Sequence, residues 1–121
     1  MIRIKDLGFS YDNNIVLKNI SMELKEGRIY GLLGENGVGK TTLLTLLCGL
    51  KKAKTGSIEI DGQNPYDRTP SFLSSLYYLS DEVAPMNMTA AEYARNYGKF
   101  WDKFDPAKFA EVMVIFENDV N

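Results

Sequence analysis

Apolar residues alternate with polar residues along the N-terminal part of the chain. Ile2, Ile4 and Phe9 frame a short extended segment, and residues 15–24 continue the pattern, mostly at a period of two. This period places every second side chain on the same face of a β-strand. Residues 12–14, Asp-Asn-Asn, favour a turn because Asn and Asp tolerate left-handed backbone. The pattern therefore predicts two antiparallel strands.

Three further elements are predicted in the central part of the chain. Residues 28–33 form an apolar run bounded by glycines, which predicts a buried strand. Residues 41–50 predict a helix with a broad apolar face that ends near Gly49. Residues 57–60 alternate cleanly and stop at Asp61-Gly62, which predicts another half-buried strand.

Two shorter elements precede Pro85. Residues 76–79 predict a short strand, and a weak helical signal comes before it at residues 71–75. The sequence changes character near Pro85, with no long linker or repeat. We expect this change to be a subdomain boundary and not a break between independent domains.

The last third of the chain predicts two helices. Thr89 and Glu92 have the Thr-x-x-Glu spacing of a capping box, which predicts a helix that runs to about Trp101. Asp105 followed by Pro106 is the N-terminal signature of a second helix. Its apolar positions fall at i, i+3, i+4 and i+7 and are Phe109, Val112, Met113 and Phe116.

A glycine-rich segment after residues 28–33 carries the most specific chemistry. It fits Gly-x-x-x-x-Gly-Lys-[Ser/Thr] at every fixed position and lies between a predicted strand and a predicted helix, the context that a phosphate-binding loop requires. Its glycines let the main chain turn with positive φ, so that successive N–H groups converge on phosphate oxygens. We expect a nucleoside triphosphate, with ATP favoured, to be bound by Gly34, Glu35, Asn36, Gly37, Val38, Gly39, Lys40, Thr41 and Thr42.

Three side chains at the end of the loop have predicted roles. Lys40 is expected to reach the β- and γ-phosphates, and the Thr41 hydroxyl is expected to complete the coordination of Mg²⁺. Thr42 can donate a hydrogen bond on the α-phosphate side. The following helix adds the partial positive charge of its N-terminus.

Composition and charge narrow the choice of partners and compartment. The chain has 121 residues and a formal net charge of -2, so it lacks the basic excess that nucleic-acid binding needs. The single cysteine, Cys48, lies in an apolar run, which fits a small core residue in a reducing compartment. No signal peptide and no apolar run long enough to span a membrane are visible. We expect a cytoplasmic protein that does not cross a membrane.

The residues around the loop resemble the ATP-binding-cassette (ABC) ATPase family over essentially the whole chain. The segment Gly8-Phe9-Ser10-Tyr11 is similar to the one that carries the family's adenine-stacking aromatic residue, which would be Tyr11. Residues 17–21 and 55–62 are similar to its framework strands. The resemblance implies an α/β fold of the P-loop NTPase class. Residues 1–84 would form an N-terminal antiparallel β subdomain with the P-loop core, and residues 85–121 would begin a helical subdomain.

The resemblance also implies a further metal-site residue. The family usually has a glutamine after the strand that corresponds to residues 77–79, and Asp81 stands in that place. Aspartate can coordinate Mg²⁺ or order a water, although it is shorter than glutamine and adds a negative charge near a triphosphate. Glu82 is its competitor for this role.

The partners that the resemblance implies are proteins. They are a second nucleotide-binding domain, in a homodimer or heterodimer, and a transmembrane permease subunit that holds the protein peripherally on the inner face of the cell membrane. The helical segment would face the permease. Its Met-rich and aromatic surface, with Met86, Met88, Tyr93, Tyr97 and Trp101, suits an adaptable interface. The helical spacing of Tyr93, Tyr97 and Trp101 favours plain core packing instead, so both interpretations stay open for these three.

Several parts of the family pattern are not found in this sequence. It has no Leu-Ser-Gly-Gly-Gln-like signature, no later strand ending in Asp-Glu, and no histidine. The resemblance therefore implies the N-terminal portion of a nucleotide-binding domain, in which the core sheet lacks its later strands. We expect such a chain to bind ATP with little or no turnover, whereas the intact parent would couple ATP hydrolysis to transport.

Other classes of protein share such a loop. A non-transport ABC protein, or another P-loop module that uses ATP as a regulatory or structural ligand, remains open. A GTP-dependent switch would need an Asn-Lys-x-Asp-type motif to read guanine, and the sequence has none.

Overall fold

The computed structural model describes residues 1–82 and 84–116, and the chain divides into two units, Met1–Phe72 and Leu73–Asn121. The first unit contains a sheet, a helix and the glycine-rich loop. The subdomain boundary near Pro85 stays a prediction. Its two predicted ranges, 1–84 and 85–121, include residues 83 and 117–121, which lie outside the described part of the chain.

The first unit is built on a three-stranded antiparallel sheet. Strands β1 (Ile2–Tyr11) and β2 (Asn14–Leu24) form a hairpin, which confirms the predicted pair. A two-residue turn joins them, and Asp12 takes a left-handed φ of 48° in it. Strand β3 (Thr55–Ile60) confirms the predicted strand at residues 57–60 and pairs with the other edge of β1. The strand order is therefore β2-β1-β3.

The core of this unit lies between the sheet and helix α1 (Lys40–Leu47). The helix contributes Leu43 and Leu46, and Leu7 of β1 is fully buried against them. The other buried members of this cluster come from the three strands and are Ile4, Leu17 and Ile58. Burial of this apolar surface fixes the position of α1, whose first turn follows the glycine-rich loop directly.

Helix α1 confirms the predicted helix but ends at Leu47 and not at Leu50. Cys48 caps the helix, and Gly49 takes a left-handed φ of 68°, as glycines do after many helix ends. The guanidinium of Arg68 donates to the carbonyl oxygens of Gly49, at 3.2 Å, and of Cys48, at 3.4 Å. These bonds satisfy carbonyls that a helix end leaves without intrahelical partners.

The predicted buried strand at residues 28–33 is wrong. These residues have no strand conformation, and Ile29 and Leu33 are 103% and 93% exposed. A strand forms only where a neighbouring chain segment completes its hydrogen bonds, and within the described residues the sheet consists of β1, β2 and β3 alone. An apolar run without such a neighbour stays irregular.

The second unit is helical, and a short helix α2 (Pro70–Ser74) spans the junction. Helix α2 confirms the weak helical signal at residues 71–75. Helices α3 (Ala90–Tyr97) and α4 (Pro106–Ile115) confirm the two predicted later helices. Thr89 and Glu92 form the predicted capping box, and Asp105 caps α4 through the N–H groups of Ala107 and Lys108. Short 3-10 helices lie at Pro65–Asp67, in the first unit, and Gly98–Phe100.

The predicted strand at residues 76–79 is also wrong, because this segment is irregular. It packs instead against aromatic residues of the same unit. Trp101 Nε1 donates to the Leu76 carbonyl oxygen at 2.7 Å, and the Tyr77 and Tyr93 hydroxyls lie 2.9 Å apart. The Tyr93 and Tyr97 rings are stacked at 5.0 Å. These contacts favour internal packing over a free interface for the aromatic residues of α3.

Cys48 is buried, as its apolar surroundings predict. Burial raises the pKa of the Cys48 thiol, so the reactive thiolate is rarer in the folded chain than in the unfolded chain. We predict that iodoacetamide alkylates Cys48 slower by on the order of ten-fold in the native chain than in concentrated urea at pH 8. Mass spectrometry of timed samples would measure both rates. Equal rates would contradict the buried position.

Candidate functional site

The glycine-rich loop and the end of the β1–β2 hairpin line one cleft of about 340 Å³. The loop side contributes most of its predicted phosphate-binding residues, and the hairpin contributes Tyr11, the predicted adenine-stacking residue. The residues that line the cleft are Tyr11, Asn14, Val16, Asn36, Gly37, Gly39, Lys40, Thr41 and Thr42. Residues that the sequence assigned separately to a base and to phosphates are thus brought together.

Backbone conformation explains the glycines of the loop. Gly37 and Gly39 take φ values of 84° and 101°, in the left-handed region that side-chain-bearing residues avoid. A Cβ atom on Gly39 would also lie 2.9 Å from side-chain atoms of Val16 and Leu17, so β2 packs directly against the loop. Gly34 differs, because its φ of 159° is close to extended backbone.

The first turn of α1 is open to an anion. Its N-cap residue is Gly39, which has no side chain to cap the helix, and the first turn contains no acidic residue. The free N–H groups and the helix dipole together favour a negatively charged group at this end. The core contacts of Leu43 and Leu46 hold this end of the helix at the cleft.

The Lys40 ammonium bends back over the loop. Lys40 Nζ donates to the carbonyl oxygens of Gly34 and Glu35, the latter at 2.7 Å. These bonds tie the start of the loop to its end and place a positive charge beside the cleft. A phosphate group could replace the two carbonyl oxygens as a stronger, charged acceptor.

Three contacts hold the Tyr11 side chain at the wall of the cleft. Its ring meets the Phe9 ring edge-on at 5.0 Å, and its hydroxyl lies 3.4 Å from Thr42 Oγ1. Lys51 Nζ lies 4.9 Å from the Tyr11 ring centroid. The Thr42 hydroxyl, and after it the Lys51 ammonium, lower the pKa of the Tyr11 phenol. Tyr11 is still 44% exposed and lines the cleft, so a ligand in the cleft can reach it.

Thr41 and Thr42 occupy different environments in the first turn of α1. Thr42 is buried, and its carbonyl oxygen accepts a hydrogen bond from the Thr45 hydroxyl at 2.8 Å. Thr41 is exposed and lines the cleft. Thr41 is therefore accessible to a metal ion, whereas Thr42 lies against the Tyr11 hydroxyl.

The oxygen donors of the cleft fit Mg²⁺ only in company with a ligand. Residues 1–82 and 84–116 contain no group of three or more Asp, Glu, His or Cys residues that could hold a metal ion. Mg²⁺ commonly keeps several waters and takes its other ligands from substrate phosphates and one or two protein oxygens. One threonine hydroxyl beside a phosphate site is compatible with that arrangement.

The remaining predicted site residues lie outside this cleft. Gly34 and Glu35 meet Lys40 through their carbonyls, and Val38 is half exposed within the loop. Asp81 is exposed and belongs to the second unit, as does Glu82. The strand that was predicted to present Asp81 is absent, so the metal-binding role of either acid stays a prediction.

Sequence reasoning missed three residues of this site. Asn14 pairs with Tyr11 across the hairpin, and Val16 follows it along β2. The two-residue turn is the signal that could have found Asn14, because it places the flanking residues opposite each other. The third is Lys51, whose Nζ lies 4.9 Å from the Tyr11 ring centroid, and no local signal connects it with Tyr11.

The family comparison agrees with this geometry. A family model described as "ABC transporter" matches residues 17–118. The chain belongs to the ABC transporter family. The resemblance stated from the loop, the Tyr11 segment and the framework strands is thereby confirmed.

Curated members of the ABC transporter family match this chain over part of their length. The ribose import ATP-binding protein RbsA of Bacillus licheniformis is 48% identical over 69 residues, which are 57% of this chain and 14% of that protein. The energy-coupling factor transporter ATP-binding protein EcfA1 of Mesomycoplasma hyopneumoniae is 48% identical over 65 residues, which are 51% of this chain and 24% of that protein. The match therefore covers a quarter or less of these relatives.

A solved structure extends the likeness to the fold. The ATP-binding subunit of an ABC transporter has a TM-score of 0.76 with this chain, covering 92% of this chain and 46% of its own, at 24% identity. This confirms the predicted α/β fold of the P-loop NTPase class for this ABC family chain. No helix within the described residues has the length and apolar character to cross a membrane.

Proposed function

We propose that this chain binds ATP together with Mg²⁺, as the ATP-binding part of an ABC transporter ATPase. The observation that carries this proposal is the common cleft of Tyr11 and the glycine-rich loop. A ring that can stack on a base and a loop that can bind phosphates lie in this one cleft, and together they match the two ends of a nucleotide. The family membership of residues 17–118 supports the same ligand.

The loop residues Gly34 to Thr42 bind the triphosphate in this proposal. Left-handed glycines and the uncapped first turn of α1 offer N–H groups to phosphate oxygens. Lys40 exchanges the carbonyl oxygens of Gly34 and Glu35 for phosphate oxygens, so its charge meets the β- and γ-phosphates. Thr42, next to the Tyr11 hydroxyl, faces the α-phosphate end nearest the base.

Mg²⁺ would be held by Thr41 and Asp81. When bound, the ion neutralises charge on the phosphates. The accessible position of Thr41 in the cleft supports its part. The part of Asp81 rests on the place it takes in the family pattern, with Glu82 as its competitor.

Turnover and coupling to transport belong, in this proposal, to the longer protein. In that protein, residues 1–84 form a β subdomain with the P-loop core, and residues 85–121 begin a helical subdomain. The domain pairs with a second nucleotide-binding domain and with a permease on the inner face of the cell membrane. The names of the RbsA and EcfA1 relatives support a transport role. The present sequence has no histidine and no signature segment, so we propose that this chain alone binds ATP without hydrolysing it.

Calorimetric titration with Mg·ATP and Mg·GTP tests the proposal. We expect ATP to bind more tightly than GTP, and we expect no phosphate release from either over hours. An absence of ATP binding would contradict the proposal. Hydrolysis by the isolated chain would contradict the division between binding and turnover. Lack of hydrolysis by a longer protein that contains this chain would favour a regulatory or structural role for ATP.

Tyr11 provides a sharper test of the base site. Replacing Tyr11 with alanine removes the stacking surface and is expected to weaken Mg·ATP binding by about 5- to 150-fold. Tyr11→Phe keeps the ring and removes the hydroxyl, with its long contact to Thr42 and its interaction with Lys51, so we expect a change below about three-fold. Calorimetry of the three chains makes the comparison. Equal losses in both variants would show that the hydroxyl, and not the ring, contributes the affinity.

A further inference from the structure

We infer that Lys51 is a positioning residue of the base site, which holds the Tyr11 ring in place at the nucleotide cleft. The inference rests on the proposed function and adds a residue that lies outside the loop motif. Lys51 Nζ lies 4.9 Å from the Tyr11 ring centroid and 6.0 Å from that of Phe9. A cation at this distance is attracted to the negative face of an aromatic ring.

Lys51 lies outside the nucleotide cleft. Tyr11 lines the cleft of about 340 Å³, and Lys51 is not one of the described residues that line it. Lys51 instead lines a separate cavity of about 130 Å³ with Lys52, Tyr66 and neighbouring residues. A base that enters the cleft therefore meets Tyr11, whereas Lys51 is not among the described residues that line the cleft.

The backbone on either side of Lys51 is fixed, which makes its position reproducible. On the N-terminal side, Gly49 takes a left-handed conformation that ends α1, and the Leu50 N–H donates to the Thr45 carbonyl at 2.9 Å. On the C-terminal side, the Lys54 N–H donates to the Gly8 carbonyl at 3.0 Å. Lys51 thus lies on a short segment that is anchored to both α1 and β1, three residues before Lys54.

Two effects of the ammonium act on base binding. It restrains the Tyr11 ring, which reduces the ordering that a ligand must impose. It also lowers the electron density of the ring, which favours stacking of an electron-rich purine on that ring. Both effects concern the base and leave the phosphate contacts of Lys40 and the loop unchanged.

The test compares Lys51→Met with Lys52→Met, using Mg·ATP and inorganic tripolyphosphate as ligands. Lys52 is a matched control, because its Nζ also lies over a ring, that of Tyr66, at 5.6 Å. Both variants lose one charge and keep the aliphatic stem. We expect Lys51→Met to weaken Mg·ATP binding by about two- to five-fold and to leave tripolyphosphate binding unchanged. Lys52→Met should change neither, and Lys51→Arg should restore ATP binding because it returns a cation to the ring.

Other outcomes would overturn the inference in distinguishable ways. Equal weakening of both ligands by Lys51→Met would assign Lys51 a general charge effect on the phosphates. Equal behaviour of the two methionine variants, or no effect on ATP while the parent chain binds ATP normally, would remove Lys51 from the base site. A parent chain that binds tripolyphosphate but gains nothing from the adenosine part would overturn the proposed base site and this inference with it. Thermal unfolding of each variant verifies that it is folded.

Discussion

Replacing Lys40 with methionine is expected to weaken Mg·ATP binding by about 100-fold. Charge-assisted hydrogen bonds to phosphate are stronger than neutral ones, and Lys40 is the one cation that lines the described cleft. Methionine keeps the aliphatic stem and removes only the ammonium. The loss should be as large for tripolyphosphate as for ATP, because Lys40 contacts phosphate and not the base.

Lys18→Met is the matched control for Lys40→Met. Lys18 is exposed and lines a different cavity, of about 190 Å³, with residues such as Phe9 and Lys54. The Lys18→Met substitution changes the net charge of the chain by the same amount as Lys40→Met, so a general charge effect would appear in both variants. Calorimetry with both ligands provides the measurement. A loss below about five-fold for Lys40→Met would argue against the phosphate-binding role.

Replacing Gly49 with alanine is expected to lower the free energy of unfolding of the first unit by roughly 2 to 5 kcal/mol. Two costs add at this position. Gly49 has a φ of 68°, which disfavours any residue with a Cβ atom. That Cβ would also lie 2.0 Å from the Pro65 carbonyl oxygen, so the segment around Pro65 must move. Pro65 is itself fully buried, which limits such movement.

Gly27→Ala separates the two costs of Gly49→Ala. Gly27 has nearly the same φ, 71°, but no atom lies within 4 Å of the Cβ that alanine would add. This variant should therefore lose only the conformational part, about 1 to 2 kcal/mol. Urea unfolding of both variants gives the two free energies. If the two losses were equal, the close approach of Gly49 to Pro65 would carry no energetic weight.

Elements with a strong local signal are predictable from this sequence. The β1–β2 hairpin has a period of two on both sides of an Asp-Asn turn, and its strands are adjacent in the chain. The starts of α3 and α4 carry Thr89 and Asp105, whose side chains bond N–H groups two or three residues away. Such interactions need no distant partner, so the local sequence is sufficient to specify them.

The two wrong strands show where local signals fail. Residues 28–33 and 76–79 have the apolar composition of buried strands, yet Leu33 and Leu79 are largely exposed and both segments are irregular. Apolar composition measures the tendency to be buried, whereas a strand also needs a paired neighbour to satisfy its N–H and C=O groups. Pairing is a property of the fold, and the sequence of one segment does not contain it.

The sequence by itself predicts the phosphate loop, because the residues Gly34 to Thr41 are contiguous and match the spacing of such a loop at every fixed position. It also determined the family, through that loop and the segments beside it. Only the tertiary structure decided that Tyr11 and Thr42 meet at 3.4 Å and that Lys51 lies over the Tyr11 ring. These residues come from β1, from α1 and from the segment after α1. Burial of Leu7 against Leu43 and Leu46 brings the strand and the helix together, and no pattern within a single segment encodes that contact.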